Sequence, residues 1–192
     1  MTVRPRTWWA RLAAPLTCLA VALLPGPALR AGEKRVFRAG AYAQDVTPKK
    51  YPVSVNGGMA DRQAKGAHDP LHARCLALDD GKTRLAFCVL DACMLPREVA
   101  DEAKRLAEKA TGIPAGHILI SATHTHTAPT LTGLFQSEPD EGYVKGLPRL
   151  IAQGGRRAVE NLEPARVGWG FASDPRQVFN RHPLDGIKIL FL

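Results

Sequence analysis

The chain has 192 residues, enough for one domain with a real hydrophobic core, and its composition, 45% hydrophobic and 23% charged, excludes an intrinsically disordered protein. The net charge is +8, but Arg4, Arg6, Arg11 and Arg30 carry four of those charges, so the balance from Gly32 onward is only +4. With no Lys/Arg run interleaved with aromatics, nucleic-acid binding is a poor reading.

Residues 1–31 read as an export signal. Arg4, Arg6 and Arg11 form a positive segment, and Leu12 to Leu24 form an apolar one broken only by Pro15 and Thr17. Gly26-Pro27-Ala28 or Leu29-Arg30-Ala31 offers the small residue before a cut. The apolar run is short of the roughly 20 residues that a spanning helix needs. Leu16 and Thr17 are too bulky for a good lipoprotein site at Cys18. The expectation is an exported protein, periplasmic or secreted, whose folded part is residues 32–192.

Val36 to Val46 reads as a first strand, closed by Asp45-Val46-Thr47-Pro48. The Gly-rich residues 52–68 read as loop. Leu71 to Leu78 is a second strand, Asp79-Asp80-Gly81-Lys82 a hairpin turn, and Arg84 to Leu90 the return strand. That return strand is apolar on both faces, which predicts burial between layers. Pro96 opens a helix with apolar residues at helical spacing from Val99 to Ala110, and Gly112 is placed to cap its end. Ile118 to Thr127 is the next strand, so Leu85 to Thr127 forms a strand–helix–strand unit with parallel strands. A loop over 133–142 leads to a helix over Tyr143 to Leu162, weakened by Pro148 and Gly154-Gly155. Arg166 to Ala172 is strand-like, Asn180-Arg181-His182-Pro183 is polar, and Ile187 to Leu192 is an apolar strand with no turn or cap after it. That bare ending predicts that the chain is a fragment or a truncated gene product. The fold class is α/β, with strands layered between helices.

Cys75, Cys88 and Cys93 remain beyond the signal segment; three is odd, and there is no Cys-x-x-Cys spacing, so they read as small buried hydrophobes. The chemistry sits in Ile118-Leu-Ile-Ser-Ala-Thr-His-Thr-His-Thr-Ala-Pro129. On an extended backbone His124 and His126 share one face, at the end of a buried strand, where α/β proteins tend to place their sites. Two imidazoles are part of a zinc site, because catalytic zinc usually takes three protein ligands and a water. A hydrogen-bonded histidine pair without metal fits the same spacing.

The order of motifs resembles the N-terminal part of the neutral/alkaline, non-lysosomal ceramidase family. The opening strand Ala39 to Pro48, the segment His68-Asp69-Pro70-Leu71-His72-Ala73-Arg74, the strand ending in Asp91, the motif Ser121-Ala-Thr-His-Thr-His-Thr-Ala-Pro129 and the pair Asn180-Arg181 occur in family order. The resemblance implies an α-β-β-α catalytic domain, of which this chain is the first part. It implies a zinc amidohydrolase that cleaves the N-acyl bond of ceramide or a related amide, a lipid-like partner met by peripheral membrane contact. It makes His124 a Zn2+ ligand and places His126 and Arg181 in the active site as catalytic residues. The family's further zinc ligands, a histidine, a glutamate and a tyrosine, come later in family order than this chain extends. Asp91, at a strand end, is placed to hydrogen-bond a ligand histidine from behind. Ala122 and Ala128 stand where the family carries glycines, which bears on the substrate more than on the metal. The rival expectations are an inactive remnant and a metal-independent carbohydrate- or lipid-binding domain.

Overall fold

In the computed structural model, which describes residues 35–174, the elements run β1 (Arg38–Asp45), β2 (Val53–Ser54), β3 (Gln63–Ala64), β4 (His72–Asp79), β5 (Arg84–Leu90), α1 (Arg97–Thr111), β6 (Ile118–Ala122), α2 (Glu141–Glu160) and β7 (Glu163–Pro164). The expected signal segment over 1–31, Asn180, Arg181 and His182, and the expected strand over 187–192 lie outside the described residues. The class is mixed α/β, as the sequence predicts. Five strands form one sheet in the order β6-β5-β4-β1-β7, and β2 and β3 form a separate two-stranded ribbon. The hairpin of β4 and β5 is antiparallel, and β5 and β6 are parallel across the α1 crossover.

Local chemistry accounts for these elements. At the β4–β5 turn Gly81 takes φ 83°, Asp79 Oδ1 accepts its N–H at 2.7 Å, and Asp80 Oδ1 accepts from Lys82 and Thr83. Gly112 ends α1 in the left-handed conformation and returns its N–H to the Glu108 carbonyl. Asp140 caps α2 by accepting the Tyr143 N–H at 2.7 Å. Pro148 removes one backbone donor, yet α2 runs unbroken through it to Glu160. Burial of Leu147, Ile151, Ala152 and Ala158 along one stripe outweighs that loss.

Both helices cover the same face of the sheet. Ala73, Cys75 and Ala77 of β4 and Cys88 and Leu90 of β5 pack with Val99 and Ala103 of α1 and with Leu147, Ile151 and Ala158 of α2. The opposite face leaves Leu76, Leu85, Val89 and Leu119 exposed. The expectation that β5 is buried on both sides is therefore corrected: apolar residues on both faces did not mean a covering layer on both. The strand expected over 166–172 is also absent. β1 instead takes Glu163–Pro164 as its edge partner, and Val167, Trp169 and Phe171 are exposed in irregular chain. Gly168 and Gly170 weaken any strand there. No described helix is long and apolar enough to cross a membrane.

Two consequences can be measured. A Cβ on Gly40 would lie 2.2 Å from the Ala158 carbonyl oxygen, so Gly40→Ala should cost about 1–3 kcal/mol in urea unfolding, while Gly116→Ala, which meets nothing within 4 Å, should cost little. Asp79 is buried; the Gly81 N–H, with the guanidiniums of Arg84 and Arg38, holds its carboxyl below the usual carboxylate range against the cost of burial. A depressed pKa stabilises the fold above the unfolded value near ~3.9 and loses that contribution as pH falls through the folded one. The urea midpoint should therefore drop as pH is lowered below about 4, and less steeply in Asp79→Asn.

Candidate metal centre

Parallel pairing decides where the site lies. Leu90, the last residue of β5, is opposite Ala122, the last of β6, so both strands finish at one end of the sheet. The Thr123 N–H extends the pairing by donating to the Leu90 carbonyl at 2.9 Å. Past that point Asp91-Ala92-Cys93 leaves one strand and Thr123-His124 leaves the other. This is the carboxyl edge of parallel strands, where α/β sheets bind ligands.

The strand stops at Ala122 rather than at Thr127. His124 has φ 61°, a left-handed conformation that histidine adopts more readily than most residues. Strand alternation therefore does not set the ring directions; the turn does. The imidazoles still meet. Their Nε2 atoms are 3.5 Å apart, and the rings stand edge to face with centroids 5.0 Å apart.

His124 Nδ1 lies 2.7 Å from the Cys93 carbonyl oxygen. A carbonyl accepts only, so Nδ1 carries the proton and Nε2 keeps its lone pair for a metal. The Cys93 Sγ lies 3.8 Å from the same ring nitrogen. Cys93 is buried and the two histidines are exposed, and one donor atom from each of the three falls within 4.8 Å of the others. Two nitrogens on one tetrahedral zinc, at about 2.0–2.1 Å each, stand about 3.3–3.4 Å apart. The observed 3.5 Å is close to that spacing. A thiolate with two imidazoles suits zinc, and three protein donors leave a fourth position open. The residues thus fit a bound metal ion.

A loop from the β2–β3 ribbon closes the site. Gly57 has φ 99°, and a Cβ there would lie 2.2 Å from the His126 ring, so only glycine leaves room for that imidazole. Arg62 donates from Nη2 to the carbonyls of His126, at 2.8 Å, and Asn56, at 3.2 Å, tying the two loops together. The buried Asn56 donates in turn to Ser137 Oγ at 3.1 Å. Beside the donors is a cleft of about 240 Å3 walled by Met59, Met94, Leu134 and Phe135. It is apolar with its polar groups gathered at the imidazoles, a shape suited to a molecule with one greasy end.

The structure brings together His124 and His126 but not Asp91. The Asp91 carboxylate accepts from Arg74 Nη1 at 2.6 Å and from the His72 N–H at 2.9 Å. The acceptor behind His124 is the Cys93 carbonyl instead. His68 pairs with Asp69 on the surface, and His117 Nδ1 lies 3.2 Å from the Arg84 carbonyl oxygen. Cys93 is the site residue that sequence reasoning missed. Its place two residues after Asp91 carried the signal, but only once β5 and β6 are known to be neighbours.

No protein-family model matches the chain. Among solved structures, it is similar to neutral ceramidase from Pseudomonas aeruginosa, with a TM-score of 0.60 and 23% identity over 68% of this chain and 22% of that one. It is also similar to a ceramidase complexed with C2, with a TM-score of 0.59 and 23% identity over the same shares. The chain shares the fold of these proteins and spans about a fifth of their length.

The packing of Gly57 on His126 yields a test. Gly57→Ala should shift the ring resonances of His126 and His124 in a histidine-selective NMR spectrum, and Gly66→Ala, which meets nothing within 4 Å, should leave them in place.

Proposed function

We propose that this chain carries the metal-holding part of a zinc-dependent amidohydrolase of the ceramidase type, exported through residues 1–31, acting on the N-acyl bond of ceramide or a related amide. The observation that carries the reading is the convergence of Cys93, His124 and His126 at the carboxyl edge of β5 and β6, beside an apolar cleft. The fold shared with two ceramidases supports it. Residues 32–192 then correspond to the N-terminal part of a ceramidase-like catalytic domain.

Zinc, when bound, lowers the pKa of a coordinated water to about 7 and polarises a carbonyl. The chain's own residues do the rest. Cys93 and His124 hold the ion, with the Cys93 carbonyl fixing the His124 tautomer. His126 completes the donor set from the solvent side, held by Gly57 and Arg62. Met59, Met94, Leu134 and Phe135 offer the apolar wall for the acyl chain. Arg181, outside the described residues, is assigned to the developing charge on the carbonyl oxygen.

The exposure of His126 favours a second division of labour, in which it moves a proton between water and the leaving amine rather than ligating. A binding-only reading rests on the same three donors, since holding a metal requires no hydrolysis.

The test is metal content and hydrolysis in the full chain. The protein should hold one equivalent of zinc by elemental analysis. Cys93→Ser and His124→Ala should each lose it. His126→Ala should lower zinc affinity; full zinc retention with lost hydrolysis would instead make His126 the proton carrier. A fluorescent short-chain ceramide should be cleaved by the whole catalytic domain to which this chain belongs, and a chelator should stop the cleavage. Stoichiometric zinc without cleavage supports the binding-only reading, and absence of zinc rejects both.

A further inference from the structure

Cys75 and Cys88 lie outside the metal centre and have no part in its chemistry. They are directly opposite one another in the β4–β5 ladder, and both are buried on the helix-covered face. The ladder's hydrogen-bonding phase can be read from its two ends. The Asp91 N–H donates to the His72 carbonyl, and the Asp80 N–H to the Thr83 carbonyl. Antiparallel pairs alternate, so the pair at His72 and the pair at Asp80 are hydrogen-bonded ones, and Cys75 with Cys88 falls on a non-hydrogen-bonded site. Cα atoms at such a site are about 4.5 Å apart, inside the span that a disulfide bridges. Both thiols are free in this structure, Cys75 Sγ donating toward the Ala73 carbonyl at 3.7 Å and the Ile151 carbonyl at 3.9 Å, and the neighbouring Cys75 together with burial pushes the Cys88 thiol up.

We propose that Cys75 and Cys88 form a disulfide that ties β4 to β5 beneath α2. An odd number of cysteines does not argue against it, because Cys93 is engaged at the metal centre. The step removes two thiol protons and two electrons and makes one S–S bond. Protons and electrons pass to the disulfide of an exchange partner, such as oxidised glutathione, which is reduced to two thiols. Gly154 of α2 sits over the pair so closely that a Cβ there would lie 2.9 Å from Cys75 Sγ. α2 therefore shields the bond from solvent. Cys93 is then the remaining thiol among the described residues, kept for His124 and His126.

The experiment refolds the full chain in a glutathione redox buffer, blocks free thiols with an alkylating agent and maps the tryptic peptides. The expected product links residues 75–82 to residues 85–97. Because Cys88 and Cys93 share that second peptide, fragmentation must place the bridge on Cys88 and the alkyl group on Cys93. Alkylated Cys75 and Cys88, or a bridge to Cys93, overturns the proposal. Reduction should also lower the wild-type Tm by about 5–10 °C and leave a Cys75→Ala/Cys88→Ala variant unmoved. A wild-type Tm that does not respond to reductant counts against it, and peptide mapping of the wild type decides the matter if the variant fails to fold.

Discussion

The site depends on one constraint, the in-register parallel pairing of β5 with β6. Ending Leu90 opposite Ala122 brings two chain exits that are about thirty residues apart in sequence to the same edge. The hydrogen bond between His124 and the Cys93 carbonyl joins those exits at 2.7 Å. That bond does two things. It holds the left-handed turn at His124 in place, and it chooses which nitrogen faces outward. α1 is the crossover that parallel pairing requires, and its packing on β4 and β5 holds the pair in register.

A second layer of organisation comes from residues 53–62. The β2–β3 ribbon is too short to be stable alone, and it is held by contacts with the chain that follows the histidines. The Ser54 carbonyl accepts the Thr130 N–H at 2.8 Å, Val55 faces Pro129 in an isolated antiparallel bridge, and Arg62 donates to the His126 carbonyl. Gly57 then contributes by lacking a side chain. A backbone this close to the His126 imidazole leaves room for the ring only if nothing projects from it. The exposed histidine is thus positioned by backbone and a guanidinium rather than by burial.

Much of the fold was legible because its signals are local. Asp79 to Lys82 spelled a hairpin, Gly112 ended a helix, and the apolar runs of β5 and β6 around α1 implied a parallel unit. The misreadings arose where the deciding fact lies elsewhere in space. The apolar face of β5 looked like burial between layers, but alternation reports which way a side chain points and not what it meets. The residues 166–172 alternated like a strand and found no partner, while Glu163–Pro164 did. Their spacing puts His124 and His126 on a shared strand face, but they meet through a turn that breaks the strand. Cys93 follows Asp91 at the end of β5, and that position marks it as a site residue only through the sheet order that carries it to the histidines.

X-ray absorption at the zinc edge of the metal-loaded chain counts the ligand types around the ion. The account predicts one sulfur near ~2.3 Å and two imidazole nitrogens near about 2.0–2.1 Å, with one further light atom. A shell of nitrogen and oxygen alone, with no sulfur, would contradict the assignment of Cys93 and with it the centre described here.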